Sequence, residues 1–158
     1  MAHPTYWFRQ GNEALFPNII WSKPENKLLA GKLLIIGGHS HGFAAPAQGY
    51  QLAVDAGAGS VRVLIPDAIK KQLSHFQGPS LEIAYAPSTP SGSFASKSLA
   101  EMLEHSRWAD AILLAGDFGR NSETAIVLEK LVSKTTLPMI TTKDAVDYFT
   151  SAPQYIIN

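Results

Sequence analysis

From Lys32 onward the sequence alternates short apolar runs, most of them closed by glycine or proline, with longer segments that carry helical signals. Lys32-Leu-Leu-Ile-Ile-Gly37, Val61-Arg-Val-Leu-Ile65, Leu81-Glu-Ile-Ala-Tyr85, Asp110-Ala-Ile-Leu-Leu-Ala115 and Pro138-Met-Ile-Thr141 read as strands, and Tyr155-Ile-Ile157 as a sixth. Continuous apolar runs of this length suit strands covered on both faces. Between them, the alanine-rich stretch from Ala44 to Ala56 reads as a helix closed by Gly57, and Asp67 to Leu73 as a short helix led by an acid. Ser98 and Glu101 have capping-box spacing and open a helix to about Trp108. Ser122–Lys134 and Lys143–Phe149 complete the set. Strands alternating with helices predict a three-layer α/β domain with a mainly parallel sheet of five or six strands and helices on both faces.

Composition agrees with one such domain. The chain has 158 residues, 46% of them hydrophobic and 16% charged. At this length about two thirds of the unfolded surface is buried on folding, enough for a real core. Thirteen basic residues balance thirteen acidic ones. No basic stripe points to a nucleic acid or an anionic membrane, and no apolar run approaches the ~18 residues that span a bilayer. The absence of cysteine excludes disulfides, thiolate metal sites and a cysteine nucleophile. A cytoplasmic location and a small-molecule partner are the expectations. Residues 1–30 lack the regular pattern and read as an N-terminal arm with Trp7, Phe16 and Trp21 as anchors, packed on the body or on a second copy in a homo-oligomer. Residues 31–158 form the α/β domain.

In parallel sheets ligands bind beyond the carboxyl ends of the strands, so chemistry is expected in the loops there. Gly38-His-Ser-His-Gly42 fits the G-x-S-x-G pattern of a hydrolase nucleophile elbow, with Asp67 and either His75 or His105 as partners for Ser40. Against this, the elbow follows the first strand, so an upstream oxyanion loop is missing, and Pro46 falls in the first helical turn. The same glycines can instead turn backbone amides toward an anion at a helix start. His39 and His41 form one His-x-His pair without a third ligand, short of what zinc requires. Gly116-Asp-Phe-Gly-Arg-Asn121 joins a strand to a helix: Arg120 can pair with phosphate, Asn121 can cap the helix, and Asp117 suits a hydroxyl, an amide or water better than an anion. Residues 87–94 read as a polar loop, either a lid pivoting on Gly92 or plain flexible surface.

Taken together, Lys32–Gly38, the turn from Ser40 to Pro46, Ala56-Gly-Ala-Gly-Ser-Val-Arg-Val-Leu-Ile-Pro66, Trp108–Arg120 and Leu137–Ala145 resemble, in order and spacing, the NAD(P)H-hydrate dehydratases of the ribokinase-like superfamily. The resemblance covers roughly residues 30 to 150. It implies a ribokinase-like, Rossmann-like fold and a nucleotide ligand. The family removes water from hydrated NADH or NADPH, a carbon–oxygen lyase reaction driven by ATP or ADP with Mg. By this resemblance Gly38, His39, Ser40, Gly42, Phe43 and Ala44, with Gly116, Asp117, Gly119, Arg120 and Asn121, would touch the dinucleotide. Asp144 would be the second acid of the family's Asp-Ala-Asp segment. Thr142 stands where the first acid is expected, and Asp117 and Phe118 replace a proline and a leucine of the glycine loop. No Gly-x-Gly-Asp segment, which in the family supplies the anion hole and the catalytic base, occurs in the sequence. The catalytic residues are therefore unassigned, and the phosphate-transfer cofactor is expected only if a C-terminal half is supplied. Three alternatives stay open: a longer chain, a second chain carrying that half, or a reduced relative that binds a nucleotide-like ligand without kinase-type chemistry. A non-catalytic interaction module using the aromatic arm is the competing class, and a Ser40 hydrolase a third.

Overall fold

The structure is a computed structural model that describes residues 12, 24–26, 29–73 and 81–150. The aromatic arm residues Trp7, Phe16 and Trp21, together with His75 and the strand expected at 155–157, lie outside the described residues.

The apolar runs form the strands β1 (Lys32–Gly37), β2 (Ser60–Pro66), β3 (Leu81–Ala86), β4 (Ala111–Gly116) and β5 (Met139–Thr141). Helix α1 (Ala44–Asp55) follows β1, α2 (Leu99–Trp108) precedes β4, α3 (Ser122–Lys134) follows β4, and α4 (Asp144–Thr150) follows β5. The five strands are all parallel, in the order β3-β2-β1-β4-β5. Alternate residues of the central strands feed two separate cores. Leu34, Ile36, Leu64, Ile112 and Leu114 pack with Met102 of α2, Val127, Leu128 and Leu131 of α3, and Ala145 and Phe149 of α4. Ile35, Val61, Val63, Ile65 and Ala115 pack with Ala45 and Tyr50 of α1 and with Ile69. The period-two alternation of a strand thus fills both layers at once, which is the three-layer α/β fold.

Two helix expectations are corrected. Ser98 and Glu101 do not form a capping box. Ser98 already has helical backbone angles, as the end of a 3-10 turn over Ser96–Ser98, and its hydroxyl donates back to the Ala95 carbonyl at 2.6 Å. Glu101 Oε2 is buried, with no hydrogen-bond partner among the described residues. The segment after β2 is a 3-10 turn, Asp67–Ile69, in place of a helix to Leu73. Its acid does not serve its own helix start, because Asp67 Oδ1 accepts instead from the backbone and hydroxyl of Ser88 in the next loop.

At the amino-terminal side of the sheet, Arg62 of β2 lies beneath α2. Its guanidinium stacks 4.0 Å from the centre of the Trp108 ring, donates to Glu82 Oε2 and donates through Nη1 to His105 Nδ1 at 3.2 Å. That last bond requires an unprotonated Nδ1. Desolvation, followed by the neighbouring Arg62 charge, lowers the His105 pKa, against the opposing pull of Glu104, Glu101 and Glu82. A lowered histidine pKa favours the fold above the ordinary value near 6.5 and withdraws that support as pH falls through the folded value. The melting temperature is therefore expected to fall more between pH 7.5 and 5.5 for the wild type than for His105→Gln. Parallel curves for the two proteins would show that His105 does not couple pH to stability.

Candidate functional site

The strand order places the site. β1 hands the chain to β2 on one side, and the chain later crosses over to β4 on the other side of β1. Helix α1 leaves β1 toward one core and α3 leaves β4 toward the other. The carboxyl ends of β1 and β4 therefore flank the switch point of the sheet, where α/β proteins of this kind open a crevice. The loops found there are residues 38–43 and 117–121, which hold nine of the twelve sequence-derived site residues, with Ala44 and Gly116 directly beside them.

The two loops are tied together. A register shift after Ile36 pairs Gly37 with Gly116, and the Gly38 amide donates to the Gly116 carbonyl at 3.0 Å. His39 Nδ1 meets the Asp117 carbonyl at 2.9 Å. Asp117 Oδ2 accepts from the Ala45 amide at 2.6 Å, so a residue of the β4 loop caps the start of α1. An amide is one of three partners open to Asp117 from the sequence, with a hydroxyl and water. One layer away, Asp144 at the start of α4 accepts from the amides of Asp117 at 2.8 Å and Phe118 at 3.0 Å. The backbone must bend sharply to do this: Gly116 has φ +99°, and a Cβ there would lie 2.6 Å from Asp144 Oδ1. Asp117, at φ 58°, adopts the left-handed conformation that Asp tolerates better than most residues. Phe118 points down into the core, fully buried between Phe94 and Tyr148. Tyr148 donates its hydroxyl to the Gly119 carbonyl, and burial, reinforced by nearby Asp144, raises its pKa. Asn121 caps α3 through bonds from the Glu123 and Thr124 amides.

The structure thus brings Gly38, His39, Gly42, Gly116, Asp117, Gly119 and Asp144 into one cluster. It also shows that the amides of Ala45, Asp117 and Phe118 already hold carboxylates of the protein itself. Phe43 and Ala44 enter α1 at the same edge, while Arg120 and Lys143 stand exposed on its rim.

In the structure residues 87–94 are held by bonds of their own. Thr89 and Ser93 are buried and bond each other's backbone, Gly92 bonds Thr89, and Ser88 and Phe94 form a bridge. The loop is pinned to its neighbours: the Ser40 amide donates to the Gly92 carbonyl, and Asn121 Nδ2 donates to Ser91 Oγ. Ser40 Oγ donates to the Ser91 carbonyl at 3.2 Å, while His105 is engaged with Arg62, and Asp67 with Ser88. Among the described residues no triad forms around Ser40, and no group of three or more His, Asp or Glu is placed to hold a metal ion. No described helix is long and apolar enough to cross a membrane. A separate groove of about 520 Å³ lies at the other edge of the sheet, among Leu103, Arg107, Lys134 and Leu137. Its two cations belong to the last turns of α2 and α3, where the helix dipole already favours positive charge.

No protein-family model matches the sequence, and no curated protein matches it. Among solved structures, the chain is similar to a ribokinase-like superfamily protein of Enterococcus faecalis V583, with a TM-score of 0.64 and 16% sequence identity over 83% of this chain. The chain spans 44% of that neighbour's length. The likeness is one of fold, a three-layer α/β arrangement shared with part of that neighbour.

Proposed function

We propose that the crevice between the β1 and β4 loops binds a small nucleotide-like molecule, with a nicotinamide dinucleotide, NADH or NADPH in its hydrated form, as the ligand of choice. The observation that carries this reading is the convergence of residues 38–43 and 117–121 on the switch point of a parallel sheet. The likeness to a ribokinase-like protein and the sequence resemblance to the hydrate dehydratases support the ligand class. Phosphate contacts fall to the exposed cations of the rim, Arg120 and Lys143, since the turn amides of Ala45, Asp117 and Phe118 are engaged. Those three amides are not free to form an anion hole for a phosphate in transfer. ATP chemistry is therefore not assigned to these residues, and the chain acts as a binding domain of a ribokinase-like type, in the cytoplasm.

Binding to the native state raises the melting temperature. NADPH, NADP or ADP at millimolar concentration is expected to shift it upward, and Arg120→Ala to reduce the shift by half or more. The absence of any shift with all three would overturn the reading.

A further inference from the structure

The His39 ring is held in place where the β1 and β4 loops meet. Its Nδ1 lies 2.9 Å from a carbonyl oxygen, Asp117 O, which can only accept, so Nδ1 carries the proton. In the neutral ring Nε2 is then an acceptor with its lone pair unused. Nε2 has no partner among the described residues, and it is not sealed from solvent. The ring is also clasped from both sides. A Cβ on Gly42 would lie 2.7 Å from His39 Cε1, and one on Gly119 would lie 3.3 Å from Cδ2. A side chain at 42 would collide with this imidazole, and one at 119 would crowd both it and Ser93 Oγ. Negative charge lies next to it, since Asp117, whose carbonyl holds the ring, carries its carboxylate on the Ala45 amide. An anion at this spot would meet the Asp117 carboxylate at close range.

From this we infer that His39 Nε2 is a ligand-reading acceptor, taking a hydrogen bond from a hydroxyl on an uncharged, hydroxylated part of the bound molecule, a sugar or a hydrated ring, while phosphates lie away from it. The inference rests on the nucleotide-binding reading above and names which portion of the ligand sits at the β1–β4 contact. His39 is a positioning and specificity residue here, and no proton transfer is assigned to it.

The test uses the full chain with NADPH as probe and inorganic phosphate as the charged control. Nitrogen NMR of the wild type should show a protonated Nδ1 and an unprotonated Nε2 on His39. The Nε2 signal should move on addition of NADPH and stay in place with phosphate. His39→Asn keeps an N–H that can reach the Asp117 carbonyl but has no Nε2. It should melt close to the wild type and bind NADPH about fivefold to tenfold more weakly, the loss of one hydrogen bond. His39→Gln, which can restore an acceptor near Nε2, should recover part of the affinity. If NADPH binds wild type and His39→Asn alike, or phosphate moves Nε2 as far as NADPH does, the inference fails while the binding reading survives. If NADPH does not bind the wild type, both fall together. The wild-type spectra decide the matter even if His39→Asn fails to fold.

Discussion

Phe118→Ala is expected to cost about 3–5 kcal/mol of stability, the range for deleting a fully buried aromatic side chain. The effect is large because Phe118 lies in the middle of the larger core, tilted against Phe94 at a centroid distance of 6.0 Å and against Tyr148 at 6.3 Å. Phe94 carries the end of the 87–94 loop, and Tyr148 carries α4, so one ring joins three segments beneath the crevice. Chemical denaturation at neutral pH measures the loss. Phe118→Leu should recover part of it, since it restores volume without the ring contacts. A loss below about 1 kcal/mol for Phe118→Ala would show that the β4 loop is not anchored in the core, because truncations of that size are typical only of exposed sites.

Asp144→Ala is expected to cost about 3 kcal/mol, because it strands two part-buried backbone amides, those of Asp117 and Phe118, that a charged acceptor now satisfies. The consequence reaches beyond α4. Once the Asp117 backbone loosens, its carboxylate leaves the Ala45 amide and the start of α1 loses its cap. Asp144→Asn should fall between the wild type and Asp144→Ala, since an amide offers one acceptor oxygen for two donors. Amide hydrogen exchange should speed up at Ala45, Asp117 and Phe118 together. Faster exchange at Asp117 and Phe118 alone, with Ala45 unchanged, would mean that the two carboxylates act independently.

The layering of the fold was legible because each central strand is a closed apolar run, and the structure places all five near their expected bounds. The order of the strands was not. Sequence fixes which segment follows which, but the crossover that sets β4 beside β1 depends on packing between distant segments. The loops carrying Gly38–Gly42 and Gly116–Asn121 were legible as site candidates from their glycines and their position after strands. The pairing of Asp117 with the Ala45 amide across 72 residues, and of Asp144 with the next turn across 27, left no local pattern to read. Both acids could be named in advance, but not their task of filling the amides that an anion would otherwise take. The capping box failed for the opposite reason. Ser98 and Glu101 have the right spacing, yet a preceding 3-10 turn had already put Ser98 in helical geometry. The 87–94 loop reads as a lid or as flexible surface from its serines and glycine, and nothing local foretells that its hydroxyls bond one another and the neighbouring turns.

The most direct test of the account is backbone amide chemical-shift mapping of the full chain as NADPH is added. The account predicts that the largest changes cluster at residues 38–44 and 117–121, on both sides of the β1–β4 crevice, with Asp144 following. Changes confined to the groove around Leu103, Arg107, Lys134 and Leu137, or none at saturating ligand, would contradict it.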